Sequence, residues 1–367
     1  MKILNVVGVR PNLMKIAPLV DEMRRYPQIE QRLLHTGQHH DDRMSKIFFN
    51  ELGIPRPDIY LGVGSGSHAE QTAKVMLQME QVLTDDLPDL VLVVGDVNST
   101  LACAITAAKF WVPVAHVEAG LRSFDRRMPE EINRIVTDAL STLLFTTSRN
   151  ANENLSREGV PAEKIHFVGN VMIDTLMKHR ARAAGLETAA RFGLQKDNYA
   201  LLTLHRPSNV DEPGVLAGIL DALARIQRCI PILFPAHPRT VKRIAEFGFQ
   251  KRLGSAPDLL VVEPQGYLEF LDLMMHARLV LTDSGGIQEE TTILGVPCLT
   301  LRENTERPIT VAEGTNTLVG TNPAMIIDEV DKVLTGAGKT GRTPELWDGH
   351  AAERIVQVIL ETSGDLQ

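Results

Sequence analysis

The chain has 367 residues, 38 of them Lys or Arg and 46 Asp or Glu, for a formal net charge of −8. Hydrophobic residues make up 44% and charged residues 23%, which excludes a disordered tail, a collagen-like rod and a disulfide scaffold. The length exceeds what one core usually supports, so two domains are expected, and an acidic balance without Lys/Arg runs argues against nucleic-acid or membrane-surface partners.

The opening MKILNVVGVRPN reads as a strand, Ile3–Val7, that runs into Arg10-Pro11, not as a signal peptide. No apolar run approaches the ~18 residues of a membrane span. Cys103, Cys229 and Cys298 lie far apart in apolar segments and read as reduced, buried thiols, which points to a cytoplasmic protein. Further strands are expected at Arg32–His35, Leu90–Val94, Val112–Val117, Leu143–Thr146 and Ile165–Val168. A second series follows at Tyr199–Leu204, Pro231–Pro235, Leu259–Val262, Leu279–Thr282 and Val296–Leu301. Between them, Lys15–Arg25, Ala69–Leu83, Thr100–Phe110, Glu130–Leu140, Val171–Arg182 and Val215–Gln227 carry apolar residues at helical spacing. KVMLQMEQVL, within the second of these, reads as core packing. Strand–helix alternation with near-continuous apolar strands implies an α/β fold: two Rossmann-like domains with parallel sheets and a crevice between them. The expected division is 1–170, 171–350, and a C-terminal helix at 351–367 that packs back on the first domain.

In open α/β sheets ligands bind beyond the carboxyl ends of the strands. Those positions here hold Gly8 to Asn12 with Lys15 a turn later, then Gly95-Asp96 and Asn98 to Thr100, then His116, Glu118, Gly120 and Arg122. In the second half they hold His205-Arg206, His237 with Arg239, and Asp283-Ser284-Gly285-Gly286. Carboxylates, imidazoles and cations gather there, as an anionic ligand requires. In LTDSGGIQEE, Gly285 and Gly286 lack a Cβ beside free helix-start N–H groups, so a diphosphate can approach the backbone; Glu290, a turn further, is spaced to meet ribose hydroxyls. The same residues also make an ordinary helix start. No GxxxxGK[ST] is present. In RRMPEEINRIVTD, Glu130, Asn133 and Arg134 share a helix face, so Arg134 either pairs with Glu130 or lines the site, while Glu131 lies one residue round. His35, His39 and His40 do not have metal-ligand spacing, and no metal is expected.

Nine segments then fall in one order: VVGVRPNLMKIAPL, GDVNSTLA, HVEAGLRS, MPEEINR, VGNVMIDTL, LLTLHRP, PQGYLEF, LTDSGGIQEE and ENTERP. Together they make the whole chain resemble the non-hydrolysing UDP-N-acetylglucosamine 2-epimerases, which share the two-domain GT-B fold. The resemblance implies catalytic carboxylates at Asp96, Glu118 and Glu130 in the first domain, and a catalytic histidine at His205. It implies UDP contacts from Arg10, Lys15, Gln265, Phe270 (against the uracil), Ser284, Gly285, Gly286, Glu290 and Arg307, mostly in the second domain; Arg134 and His237 join the substrate-binding candidates. It implies a cofactor-free reaction in which UDP is eliminated with the proton at carbon 2, giving 2-acetamidoglucal, and then adds back with a proton on the opposite face. It further implies a cytoplasmic homodimer that supplies surface-polysaccharide precursors. Which carboxylate is base and which acid stays open, because coupled carboxylates share their titration. The rival readings are a 2-epimerase of a modified UDP-sugar such as a UDP-2,3-diacetamido sugar, a GT-B glycosyltransferase, a hydrolysing relative, and a nucleotide-sugar sensor.

The resemblance has one departure. Family members activated by a second UDP-N-acetylglucosamine use a Gln-His-Arg segment, an Arg before Gln-Thr, and a His-Arg-Arg-Glu segment. Here these read Gln38-His39-His40, Glu70 before Gln71-Thr72, and His205-Arg206-Pro207-Ser208. Cations and a carboxylate are lost, Glu70 repels a diphosphate, and Pro207 lacks a donor; His40, His68 and Arg239 are the nearest substitutes. The expected outcome is conversion of UDP-N-acetylmannosamine alone from the first moments of an assay, along a hyperbolic rate curve. A lag abolished by a trace of UDP-N-acetylglucosamine would contradict it.

Overall fold

Mostly apolar strands and amphipathic helices between them fold this chain into two α/β units. The computed structural model describes residues 1–38 and 48–364, and its two compact units are Met1–Lys178 with Glu345–Gln367, and His179–Pro344. Each is built on an all-parallel sheet.

In the first unit the strands are β1 (Lys2–Val7), β2 (Glu30–His35), β3 (Ile59–Tyr60), β4 (Leu90–Val94), β5 (Val114–Ala119), β6 (Leu143–Thr146) and β7 (Ile165–Phe167), in the order β3-β2-β1-β4-β5-β6-β7. In the second they are β8 (Ala200–Thr203), β9 (Ile232–Pro235), β10 (Leu259–Val262), β11 (Leu279–Thr282), β12 (Cys298–Thr300) and β13 (Asn316–Leu318), in the order β10-β9-β8-β11-β12-β13. Each order reverses direction once, between β1 and β4 and between β8 and β11, which is where a doubly wound sheet opens a cleft. The central strands are sealed on both faces: Leu90 to Val94 are at most 1% exposed.

The expected α/β class and strand series hold, with local differences. β3 and β13 are two and three residues long, too short to carry a hydrophobic period. β5 starts at Val114, not Val112, because Trp111 takes a φ of 62° and Val112 N–H still closes the preceding helix onto Ala107. It runs on to Ala119 through a register shift at Glu118. Cys103 and Cys298 are buried, but Cys229 is exposed, in the turn that follows the Pro213–Ile226 helix. On the His68–Asp85 helix Val75 and Met79 are core, while Leu77 faces outward. Among the described residues no helix is long and apolar enough to cross a membrane.

Two local devices fix the helix that follows β1, Arg10–Met23. Pro18 inside it has no N–H for the carbonyl of Met14, and the Thr175 hydroxyl donates to that carbonyl at 2.6 Å instead. The C-terminal helix Ala351–Thr362 packs against the same helix. It has no side-chain cap of its own; Asp174 accepts from Ala351 N–H at 3.1 Å and Ala352 N–H at 2.7 Å. Trp347, 2% exposed, anchors the approach by donating Nε1–H to the Thr147 carbonyl.

Burial pushes the Asp174 carboxyl up to about 6, against the pull of the two capped amides. Its folded-state value lies above its ordinary 3.8, so its contribution to stability is present below about pH 4 and is lost as pH rises through about 6. The melting temperature of the wild-type chain relative to D174N is therefore expected to fall between about pH 4 and about pH 6 and to level off above. A difference that rises over this window would contradict the assignment.

Candidate active site

In the first unit the β1/β4 switch point assembles the expected residues. Asn12 closes the turn after β1 by accepting from Gly8 and Val9 N–H at 3.0 and 3.2 Å, and donates to the Val94 carbonyl at the end of β4. This sets Lys15, 7% exposed, against Glu118 in a buried ion pair. Glu118 sits at a φ of 76° in the β5 bulge, a conformation that costs a bulky L-residue roughly 1–3 kcal/mol and that clusters at functional sites. Gly95, at a φ of 69°, gives the pair room: a Cβ there would lie 2.9 Å from Lys15 Nζ and 3.4 Å from Glu118 Oε2. Asp96, next in the chain and half-buried, forms an ion pair with Arg134 Nη1. Asn133 donates to the Asp96 carbonyl at 2.8 Å, and Asn98 donates to Gln71 at 3.0 Å. Arg10 and Glu130 are both half-buried, each in the first turn of its helix.

Helix spacing alone misassigns the Pro129–Leu140 helix. Arg134 turns to Glu131, three residues back, with Nε 3.0 Å and Nη2 2.5 Å from Oε2. The same carboxylate accepts from Ser123 N–H at 2.9 Å, Ser123 Oγ–H at 3.1 Å and Phe124 N–H at 2.8 Å. Burial alone pushes Glu131 up, but those amides and Arg134 outweigh it and hold its carboxyl below the usual range. Glu131 is thus no bystander: it holds the loop after β5 and aims Arg134 at Asp96.

In the second unit the β8/β11 switch point brings His205 and Asp283 together, with Nδ1 2.8 Å from Oδ1. Asp283, fully buried, also accepts from the His205 and Arg206 amides at 2.9 and 2.8 Å. Burial pushes its carboxyl up, but His205 and the two amides prevail and hold it below the ordinary value. His205 is 43% exposed at its side chain, so a buried acceptor orients a ring that still reaches solvent. His237, exposed at the next strand end, stands with its ring 6.2 Å from that of His205 and accepts from Arg239 N–H.

The Ser-Gly-Gly turn has a built floor. Ser284 N–H donates to Thr282 Oγ1 at 2.9 Å, and the helix Gly285–Leu294 opens behind it. A Cβ at Gly285 would lie 2.8 Å from both Glu306 Oε1 and the Arg307 guanidinium carbon, so a larger residue there would have to displace a buried ion pair. Glu306 accepts from Arg307 at 2.6 Å, Arg302 at 2.8 Å and Arg206 at 3.3 Å. Burial opposes its charge, but the three guanidiniums hold it well below the usual carboxylate range. Arg307 also pairs with Glu289 at 2.9 Å. Burial pushes Glu290 up to about 8; Tyr267 Oη–H donates to it at 3.0 Å and Glu289 adds repulsion. Gln265 donates to the Glu263 carbonyl, and Phe270 is half-buried on the Tyr267–Met275 helix. Asp283, Glu131, Tyr267 and Glu306 are the members that sequence reasoning did not single out. Asp283 stood at a strand end and Tyr267 in the PQGYLEF segment, but nothing in spacing shows a hydrogen bond.

Of the second-site positions, Glu70 forms a capping box with Ser67 and Arg239 is paired with Asp211. His39 and His40 lie outside the described residues. His35 is buried, accepts from Gly37 N–H and is pushed down to about 4 by burial.

The family profile described as UDP-N-acetylglucosamine 2-epimerase matches residues 21–360. The chain belongs to this family. Among UDP-N-acetylglucosamine 2-epimerases, that of Methanocaldococcus jannaschii is 44% identical over 364 residues, 98% of this chain and 99% of the relative. Its crystal structure in complex with UDP-GlcNAc and UDP is similar with a TM-score of 0.92, covering 98% of this chain and 100% of that one. The UDP-2,3-diacetamido-2,3-dideoxy-D-glucuronate 2-epimerase of Pseudomonas aeruginosa is 42% identical over 365 residues, 98% of this chain and 99% of the relative. The GT-B-like fold is shared across the family.

Removing the charge of Glu131 leaves Arg134 with a lost partner and two loop amides with a poorer one. E131Q is expected to lose about 3 kcal/mol in urea unfolding, and E130Q less than about 1 kcal/mol. A loss below about 1 kcal/mol for E131Q would mean that the Glu131 network does not hold the loop.

Proposed function

We propose that this chain interconverts UDP-N-acetylglucosamine and UDP-N-acetylmannosamine, eliminating UDP to 2-acetamidoglucal and adding it back. The observation that carries this reading is the pair Asp96 and Glu118 at adjacent strand ends, each matched to a buried cation, Arg134 and Lys15. The proton at carbon 2 is weakly acidic, so its removal needs a carboxylate in low-dielectric surroundings, and its return on the other face needs a second proton carrier. Asp96, Glu118 and Glu130 are assigned these tasks. His205, oriented by Asp283, is assigned to the departing UDP, together with the Ser284–Gly286 helix start and Arg307 as diphosphate contacts. Arg10 and Lys15 are assigned as further UDP contacts. Phe270 and Gln265 are assigned to the uracil, and Glu290 to the ribose. Holding UDP through the intermediate makes re-addition effectively intramolecular.

A second substrate is favoured by one observation, the 42% identity over the full chain to a relative that acts on a UDP-2,3-diacetamido uronic acid. Comparing kcat/KM for the two sugars decides between them.

The test is incubation with UDP-N-acetylglucosamine in deuterated water, with no added cofactor. UDP-N-acetylmannosamine carrying deuterium at carbon 2 is expected; product without label at that carbon would overturn the mechanism. Asp96→Asn, Glu118→Gln, Glu130→Gln and His205→Asn are each expected to lower turnover by roughly two to four decades, the worth of acid–base groups. A variant within a factor of about three of wild type would lose its assigned role.

A further inference from the structure

One buried pair in the first unit serves neither the core nor any assigned contact. His116, on β5, is fully buried, and Asp138, near the end of the Pro129–Leu140 helix, is 2% exposed. Their contact is short, Nδ1 to Oδ1 at 2.6 Å. What distinguishes the pair is where its remaining atoms go. His116 Nε2–H donates at 2.8 Å to the carbonyl of Gly95, the residue before Asp96. The second oxygen of Asp138 accepts at 3.0 Å from the N–H of Gly120, two residues after Glu118, and at 2.7 Å from Arg122 Nη1.

The two loops so tied depart from extended backbone, and one of them carries a strained residue, Glu118. Gly95, Glu118 and Gly120 all have positive φ, at 69°, 76° and 76°. The β4–β5 register that would align them mechanically stops at Val94 and Val117, and β5 slips its pairing with β6 between Val117 and Ala119. Beyond those points Gly95 N–H still donates to the Val117 carbonyl at 3.0 Å, which ties the residues just before Asp96 and Glu118 but leaves the far side of the Glu118 bulge without a ladder bond to β4. The His116–Asp138 pair adds a tie there, to the Gly95 carbonyl on one side and to Gly120 and Arg122 on the other. Burial raises the cost of charge on Asp138, but His116 and Arg122 outweigh it and keep the carboxyl below its ordinary range, so it stays an acceptor towards all three partners.

We infer that His116 and Asp138 are positioning residues: a buried brace that sets the separation of Asp96 and Glu118 by holding the Gly95 carbonyl with one end and the Gly120 amide with the other. The inference rests on the assignment of those two carboxylates to proton transfer. A brace of this kind contributes through geometry, since a misplacement of about 1 Å can cost about a hundredfold in rate. Its expected effect is therefore on turnover more than on substrate affinity.

Histidine has two amide mimics, and they separate brace from packing. In H116Q the side-chain amide extends to where Nε2 was and keeps a donor for the Gly95 carbonyl. In H116N the shorter amide reaches only Asp138 and leaves that carbonyl without its donor. The brace predicts that H116N loses about fifty-fold in kcat with KM little changed, that H116Q recovers to within about ten-fold of wild type, and that D138N falls near H116N. Equal kcat for H116N and H116Q, or losses that follow melting temperature alone, would overturn it. Amide hydrogen exchange provides a readout that does not depend on activity. In D138N the Gly120 amide should exchange at least ten-fold faster while Leu92, inside the β4 ladder, keeps its protection. Unchanged protection at Gly120 would overturn the brace even where activity falls. If the wild-type chain shows no exchange at carbon 2 of the sugar, the functional reading fails, and the Gly120 measurement still decides the brace.

Discussion

Apart from Glu290, which the Tyr267 hydroxyl holds, the buried carboxylates described around the two switch points are matched by cations or amides, and much of the local architecture follows from that requirement. Glu118 is paired with Lys15, Asp96 and Glu131 share Arg134, and Asp138 lies between His116 and Arg122. In the other unit Asp283 holds His205 and two amides, and Glu306 holds three arginines. An unpaired carboxylate in such places costs several kcal/mol, and removing one partner of a buried pair is typically worth about 3–5 kcal/mol. The cations are therefore the condition under which anionic side chains can be crowded where the chemistry is assigned.

Topology explains why these groups meet where they do. Parallel strands deliver all their carboxyl ends to one edge, and the reversal between β1 and β4 or β8 and β11 leaves a gap that no crossover helix fills. Into that gap project the turn closed by Asn12 and the bulge at Glu118 in one unit, and the His205 and Ser284 turns in the other. The strain at Glu118 is sustained because its surroundings over-determine it: Lys15 holds the side chain, and Asp138 holds the Gly120 amide.

The α/β class and most strands were legible because buried parallel strands are apolar runs, and Leu90–Val94 or Leu279–Thr282 has no other plausible reading. Short edge strands such as Ile59–Tyr60 were not, since two residues carry no period. Strand ends marked where polar residues gather, and they do gather at Lys15, Asp96 and Glu118 and at His205 and Asp283. The partner of Arg134 was not legible: spacing allowed both Glu130 and Glu131, and the choice depends on the loop at Ser123 and Phe124, whose amides recruit Glu131. Likewise the value of about 8 for Glu290 arises from its complete burial, which a helix-start pattern conceals. The sequence pattern makes Gly285 room for a phosphate, and the structure adds a second reason in the Glu306–Arg307 pair beside it.

The central claim of the proposed function is that the bond between carbon 1 and the diphosphate breaks and re-forms while UDP stays bound. Positional isotope exchange tests it most directly. UDP-N-acetylglucosamine is prepared with ¹⁸O in the oxygen that bridges carbon 1 and the β-phosphorus, and the label is followed by ³¹P NMR during turnover. Elimination frees the β-phosphate to rotate, so the label is expected to spread into its non-bridging positions at least as fast as epimerised product forms. Epimerised product with all of its label still in the bridge would contradict the account.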